Sequence, residues 1–247
     1  MDLKDISNKQ ELCKRISSMC NGYEQLLLDM ANNDGTYKKA ALLYYWLRDY
    51  KNYLGNESTF SPNYLPAFNR GNIVNVNFGF NLGSELGGLH FGIVLADSSR
   101  RNPNLVIAPL TSLKKDKGAI HNTEVYLGEE LFFKIQGKYT ALKTSIPNEI
   151  QILKNDCLNS DNSKLPEIDK RLEDLEHKVE LLEKTMRKLQ TLKHGSVAVM
   201  NQIRTVSKMR VSDPTDIYDI LYGIKLSSKA LDMVDAKIAE LYLRRNN

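Results

Sequence analysis

Cysteine is scarce in this chain of 247 residues: Cys13, Cys20 and Cys157 are its three. An odd number with no Cys-x-x-Cys spacing excludes a disulfide framework and a zinc site of standard spacing, and predicts reduced thiols. No run of 18 or more apolar residues is present, so no membrane-spanning helix is expected. The opening MDLKDISNKQ lacks the basic-then-apolar order of a secretory leader, which makes a cytoplasmic location the expectation. Strong charge of one sign is lacking too. A net charge of +4 and a pI near 8.8 permit general affinity for polyanions but exclude a histone-like coat protein. What is present is the 42% apolar content of an ordinary globular protein, in a length that suits one large domain or two small ones.

Leu12, Ile16, Met19, Tyr23, Leu26 or Leu27, and Met30 recur at alternating spacings of four and three, the signature of a helix with one apolar face. Asn32-Asn33-Asp34-Gly35 signals a turn, after which Leu43, Trp46, Leu47, Tyr50 and Leu54 resume the helical stripe. Residues 1–60 therefore read as a helical hairpin with a polar, proline-marked exit. From Arg70 the period changes. Ile73, Val74, Val76 and Phe78 are strand-like, Gly83 to Gly88 is a glycine-rich loop, and Phe91 to Leu95 and Leu105 to Leu110 are further strands. Val125 to Leu127 is a weaker strand candidate, and residues 131–153 are ambiguous. Ile168, Leu172, Leu175, Val179, Leu182, Met186 and Leu189 then keep strict four-three spacing through dense Glu and Lys. Pro166 is placed to open this helix and Gly195 to close it. It predicts a coiled-coil helix over 166–193, roughly 40 Å long at the standard rise, for which the N-terminal apolar face is the natural partner. A strand-like run, Val197 to Ile203, and a C-terminal helix carrying Leu226, Ala230, Met233, Val234, Ile238 and Leu241 complete the chain.

Two separated segments carry a family resemblance. The first is RGNIVNVNFGFNLGSELGGLHFGIVLADSS at 70–99, continuing to NLVIAPLTS at 104–112; the second is GSVAVMNQIRTVSKMRV at 195–211. Their order resembles that of the MazF/PemK toxins, in which an Arg-Gly strand leads to a GSE-x-GG loop, a strand, a strand ending in Thr, and a later Ser-x-Val, Gln-Ile-Arg-Thr, Lys-x-Arg signature. The resemblance implies an α+β fold built on an SH3-like small β-barrel of the MazF/PemK/CcdB type. Its first part would occupy 69–130 and its second part, with the C-terminal helix, 195–247. The region 131–194, with its coiled-coil helix, becomes an insertion that splits the barrel.

The resemblance also implies the toxin component of a type II toxin-antitoxin system: a homodimeric endoribonuclease that cuts single-stranded RNA without metal or cofactor and is neutralised by an antitoxin protein. The products would end in 2′,3′-cyclic phosphates. Thr111 stands where the family places its catalytic Thr, with Ser112 beside it. His90 stands where many members have the principal catalytic Arg. An imidazole, with an unperturbed pKa of about 6.5, is well suited to proton transfer. Arg204 is assigned to charge stabilisation, or else to a buried ion pair with Glu85. RNA contacts fall to Ser84, Glu85, Gly87 and Gly88 of the loop and to Gln202, Lys208 and Arg210, with Arg100, Arg101, Lys114, Lys115 and Lys117 flanking the same strands. Taken without the motif, His90 is a packing residue at a strand start and Thr111 a turn former. The alternative is thus a barrel without catalysis that serves as an RNA-binding or coiled-coil interaction module.

Overall fold

The computed structural model describes residues 1–113, 120–159, 165–193 and 195–243. The β-branched and aromatic runs become β1 (Ile73–Asn77), β2 (Leu89–Val94) and β3 (Asn104–Ser112), followed by β4 (Glu124–Tyr126), β5 (Ser196–Val199), β6 (Arg204–Ser207) and β7 (Val211–Asp213). All pair antiparallel. The order is β4-β5-β3-β2-β1-β7, with β6 also paired to β3. On its side away from β2, β3 holds β6 along Asn104–Ile107 and β5 along Leu110–Ser112. Three surplus residues of the returning chain are absorbed by a 3-10 turn at Met200–Gln202. The run expected over Val197 to Ile203 is therefore strand only as far as Val199, and β6 begins just beyond it at Arg204.

The fold is α+β, but strand pairing does not close the expected barrel. Among the described residues β4 and β7 end the ladder without meeting. Each is three residues long, too short to offer the bonds that closure needs.

Residues in register share a face of a sheet. Ile73, Ile93, Ala108, Leu110 and Ala198 fall on one side, Val74, Val76, Val94, Ile107 and Val206 on the other. The first side is covered by Leu131 and Ile135 of α3 (Glu130–Asn159), by Leu221, Ile224 and Leu226, and by Ala230 and Val234 of α5 (Ser228–Tyr242). The second packs against Phe68, Phe78 and Val211. Glu130 ties the two covering helices together, its carboxylate accepting from the backbone N–H and the hydroxyl of Ser227, the residue that caps α5.

Between β4 and β5 stand α3 and α4 (Leu165–Thr191), an antiparallel pair. The expected long helix is correct; its expected partner is not. α4 packs on α3, the segment whose pattern was ambiguous, through Ile146, Leu153 and Leu175 with Leu142, Ile150, Ile168 and Leu182. Lys178 bridges to Glu149 at 2.7 Å, and Arg171 pairs with Asp156. The insertion is closed at its neck. The Leu127 N–H donates to the Ser196 carbonyl at 2.9 Å, and the Ser196 N–H to the Gly128 carbonyl at 2.8 Å. Gly195 makes the return at φ +79°, where a Cβ would meet that of Leu113 at 3.0 Å. Two contacts tie the hairpin to the segment that follows β7. Lys138 donates to the carbonyls of Asp219 and Ile220, and the Tyr218 hydroxyl donates to Asp174 at 2.8 Å while its ring stacks on His177.

Residues Met1–Ser58 form a separate compact unit. It is the predicted hairpin, α1 (Lys9–Ala31) and α2 (Asp34–Asn56). The Asn33 side chain caps α2 by accepting from the Gly35 N–H, and Thr36 closes the turn onto the Met30 carbonyl. Only Ala40 and Leu43 of these two helices are buried. Among the described residues no helix is long and apolar enough to cross a membrane.

Leu175 is central to the small core of the α3–α4 hairpin. Leu175→Ala should cost about 2–4 kcal/mol locally, read as faster amide exchange throughout α3 and α4 with the β1–β3 amides unchanged. Equal acceleration in the sheet would show that the hairpin and sheet unfold as one.

Candidate functional site

The register that pairs Gly92 with Pro109, continued by two residues, sets His90 across from Thr111. Ser112 pairs with Ser196. At this end of the sheet lies a cleft of about 300 Å³. Asn75, His90, Phe91, Thr111, Ser112 and Ser196 line it from the strands; Leu131, Lys188, Thr191, Leu192 and Lys193 line it from the insertion. Three of the four residues assigned to catalysis thus share one cleft. No carboxylate lines it among the described residues.

His90 is half-buried. Burial holds its imidazole below the usual histidine range, and hydrogen bonding to the backbone at Leu110 and Gly87 pulls the other way. The ring is therefore neutral near pH 7 and able to take a proton. It meets Phe78 edge to face, centroids 6.5 Å apart, and the Arg204 guanidinium lies 5.3 Å from the same Phe78 ring. Arg204 is thus one aromatic ring removed from His90 and does not line the cleft. Its side chain donates to the Gln202 amide oxygen at 3.4 Å; the alternative ion pair with Glu85 is not among its contacts.

The glycine-rich loop is stitched to itself. The Phe78 N–H donates to the Gly88 carbonyl, the Gly88 N–H to the Gly79 carbonyl, and the Asn81 amide to the Leu86 carbonyl at 2.7 Å. A Cβ on Gly87 would stand 2.6 Å from the Gly79 carbonyl oxygen, so this glycine is required for closing the loop. Gln202 accepts from the Leu86 N–H at 2.5 Å and donates to the Ser84 carbonyl, which gives it a loop-anchoring role. Ser84 and Glu85 are exposed at the loop tip, where a ligand can reach them.

Lys208 requires a correction. It is 1% exposed, its ammonium donating to the Ser99 carbonyl at 2.7 Å and lying 5.3 Å from the Phe68 ring. Burial pushes its pKa down. It anchors the β2–β3 turn, at the opposite end of the strands from the cleft, and is not available to RNA. Arg100 and Arg101 are exposed in that same distant turn. Arg210 is half-buried and donates to the Asn77 carbonyl at 2.7 Å. Lys114, Lys115 and Lys117 lie outside the described residues.

The sequence did not point to Asn75, Ser196, Lys188 or Lys193. The two lysines end a helix that reads as solvated coiled coil, and only the neck pairing brings them to the strands. Nor did it point to Asp213, the register partner of Asn75. Burial raises the Asp213 carboxyl to about 6, Asp219 adds to the rise, and the Leu221 N–H, Lys138 and Lys188 oppose it. A raised carboxyl costs stability above its folded pKa and nothing below its unfolded one. Asp213→Asn should therefore raise unfolding free energy by up to about 3 kcal/mol above pH 6, an advantage that fades as pH falls from 6 towards 4. Denaturant titrations across that range test it; a pH-independent difference would contradict the buried charge.

Scanned against models of known protein families and searched against curated proteins, the sequence matches none.

Proposed function

We propose that this protein is a MazF/PemK-type toxin, a metal-independent endoribonuclease for single-stranded RNA whose split sheet is a variant of that family's SH3-like barrel. The observation that carries the reading is the convergence of His90, Thr111 and Ser112, the residues that the motifs single out, on one cleft that no carboxylate lines among the described residues. A lysine-flanked cleft of that kind favours a phosphodiester over a cationic or neutral ligand.

The chemistry needs a base for the ribose 2′-OH, donors for the charged phosphorane and an acid for the departing 5′-oxygen. The neutral imidazole of His90 takes the 2′-OH proton as that oxygen attacks phosphorus, and the hydroxyls of Thr111 and Ser112 donate to the non-bridging oxygens. The proton held by His90 then serves the leaving oxygen, giving a 2′,3′-cyclic phosphate and a free 5′-OH. Arg204 acts at longer range, across Phe78. A homodimer and a neutralising antitoxin follow from the same reading. One observation favours the rival, a binding module without catalysis: Arg204, the arginine assigned to this chemistry, is outside the cleft.

Purified protein in chelator should convert mixed-sequence RNA to fragments ending in cyclic phosphate, with His90→Ala slower by about 10²–10⁴-fold and Thr111→Ala by about 10-fold or more. Intact RNA with wild type rules out the enzyme; binding unaffected by both substitutions selects the rival. Because burial depresses the His90 pKa, the acid limb of kcat/KM should lie below that of an ordinary histidine. A fall that begins above pH 7 would mean another base.

A further inference from the structure

We propose that Lys188 and Lys193 form a second phosphate subsite, so that the insertion supplies part of the substrate site; the inference rests on the ribonuclease reading and deepens it. Both lysines line the cleft together with the hydroxyl-bearing Thr191 and Ser196. Lys188 is in the last turn of α4, half-buried, its ammonium 4.5 Å from the centroid of the Phe91 ring. The ring face attracts the ammonium and holds the lysine stem in place. Lys193, two residues past the helix, is exposed. No other cationic side chain lines the cleft among the described residues.

Position supports the assignment. Leu189 and Leu192, which bracket this turn, pack into the main core, and the neck bonds of Ser196 fix the chain just beyond. The lysines therefore stand on a rigid wall facing the strands that carry His90 and Thr111. A single-stranded RNA presents a phosphate at each nucleotide, and the hydroxyl groups are assigned to the one being cut. The lysine wall fits a neighbouring phosphodiester, held as a point charge by each ammonium. The competing explanation is structural: lysines in a last turn complement the helix dipole, and Lys188 also interacts with Asp213. The helix end itself repels anions, so removing both lysines leaves a site worse than neutral towards RNA.

The test is the salt dependence of binding to an uncleavable 2′-O-methyl oligonucleotide of mixed sequence, together with cleavage kinetics on the matching RNA. Lys188→Ala/Lys193→Ala should weaken binding about 10-fold or more and lower the slope of log K against log salt by about 1.4, the value for two contacts to a single strand. KM should rise while kcat at saturation changes by less than about two-fold. Lys188→Arg/Lys193→Arg should restore affinity, which a merely structural role would not require. Lys193→Glu, at an exposed position, should reproduce the direction of the defect in a variant that folds even if the double variant does not. If wild type cleaves RNA and the variants match it in slope and KM, the subsite is wrong and the ribonuclease reading stands. If wild type neither binds nor cleaves, both fall.

Discussion

Two backbone hydrogen bonds at the neck of the insertion, between Leu127, Gly128 and Ser196, hold the conditions for the rest of the sheet. They bring the two distant parts of the chain together in register, so that β5 can lie on β4 and on β3 at once. With β5 in place, the 3-10 turn at Met200 can carry β6 further along β3, and Gln202 within that turn reaches the glycine-rich loop. The insertion thus enters the sheet where a hairpin would need only a tight turn. Its length is spent outside the ladder, in α3 and α4, while its two ends remain neighbours.

The same neck decides what the cleft contains. Strands alone would give a shallow end-of-sheet surface with an imidazole and hydroxyls. The root of α4 adds a second wall with two ammonium groups and, among the described residues, no carboxylate. Burial favours the neutral form of His90, whereas Lys193 is exposed to solvent. A site that has to move a proton benefits from a group shifted in that way. The buried Asp213 sits one strand behind, against Asn75, where its charge is opposed by Lys138 and Lys188.

Local signals made much of the fold legible. β1, β2 and β3 announced themselves through β-branched runs between glycine and proline punctuation, and α4 through an unbroken four-three stripe. α3 was hidden because Gly137 and Pro147 interrupt it, although Leu142, Ile146, Ile150 and Leu153 keep helical spacing. The partner of α4 was misread for that reason: the visible stripe in α1 was preferred to an obscured one next in sequence. At the site, residues on adjacent strands were legible as motif, because antiparallel register brings a strand start and a strand end together. Lys208 misled because burial of a long cationic stem on Phe68 leaves no trace in sequence. Lys188 was invisible for the opposite reason, since its place in the cleft depends on pairing between residues some 70 positions apart.

The neck also bears on the order in which this chain can be assembled. Closing a disordered loop of the roughly 65 residues between Gly128 and Gly195 costs more entropy than closing a turn of four, by about 2.5 kcal/mol on the logarithmic scaling of loop entropy. Contacts between α3 and α4 are local in sequence, so a helical pair that forms early brings Gly195 towards Gly128 and offsets part of that cost. An element that lengthens the gene between two strands therefore need not slow their meeting, because it folds the distance away before the strands have to find each other.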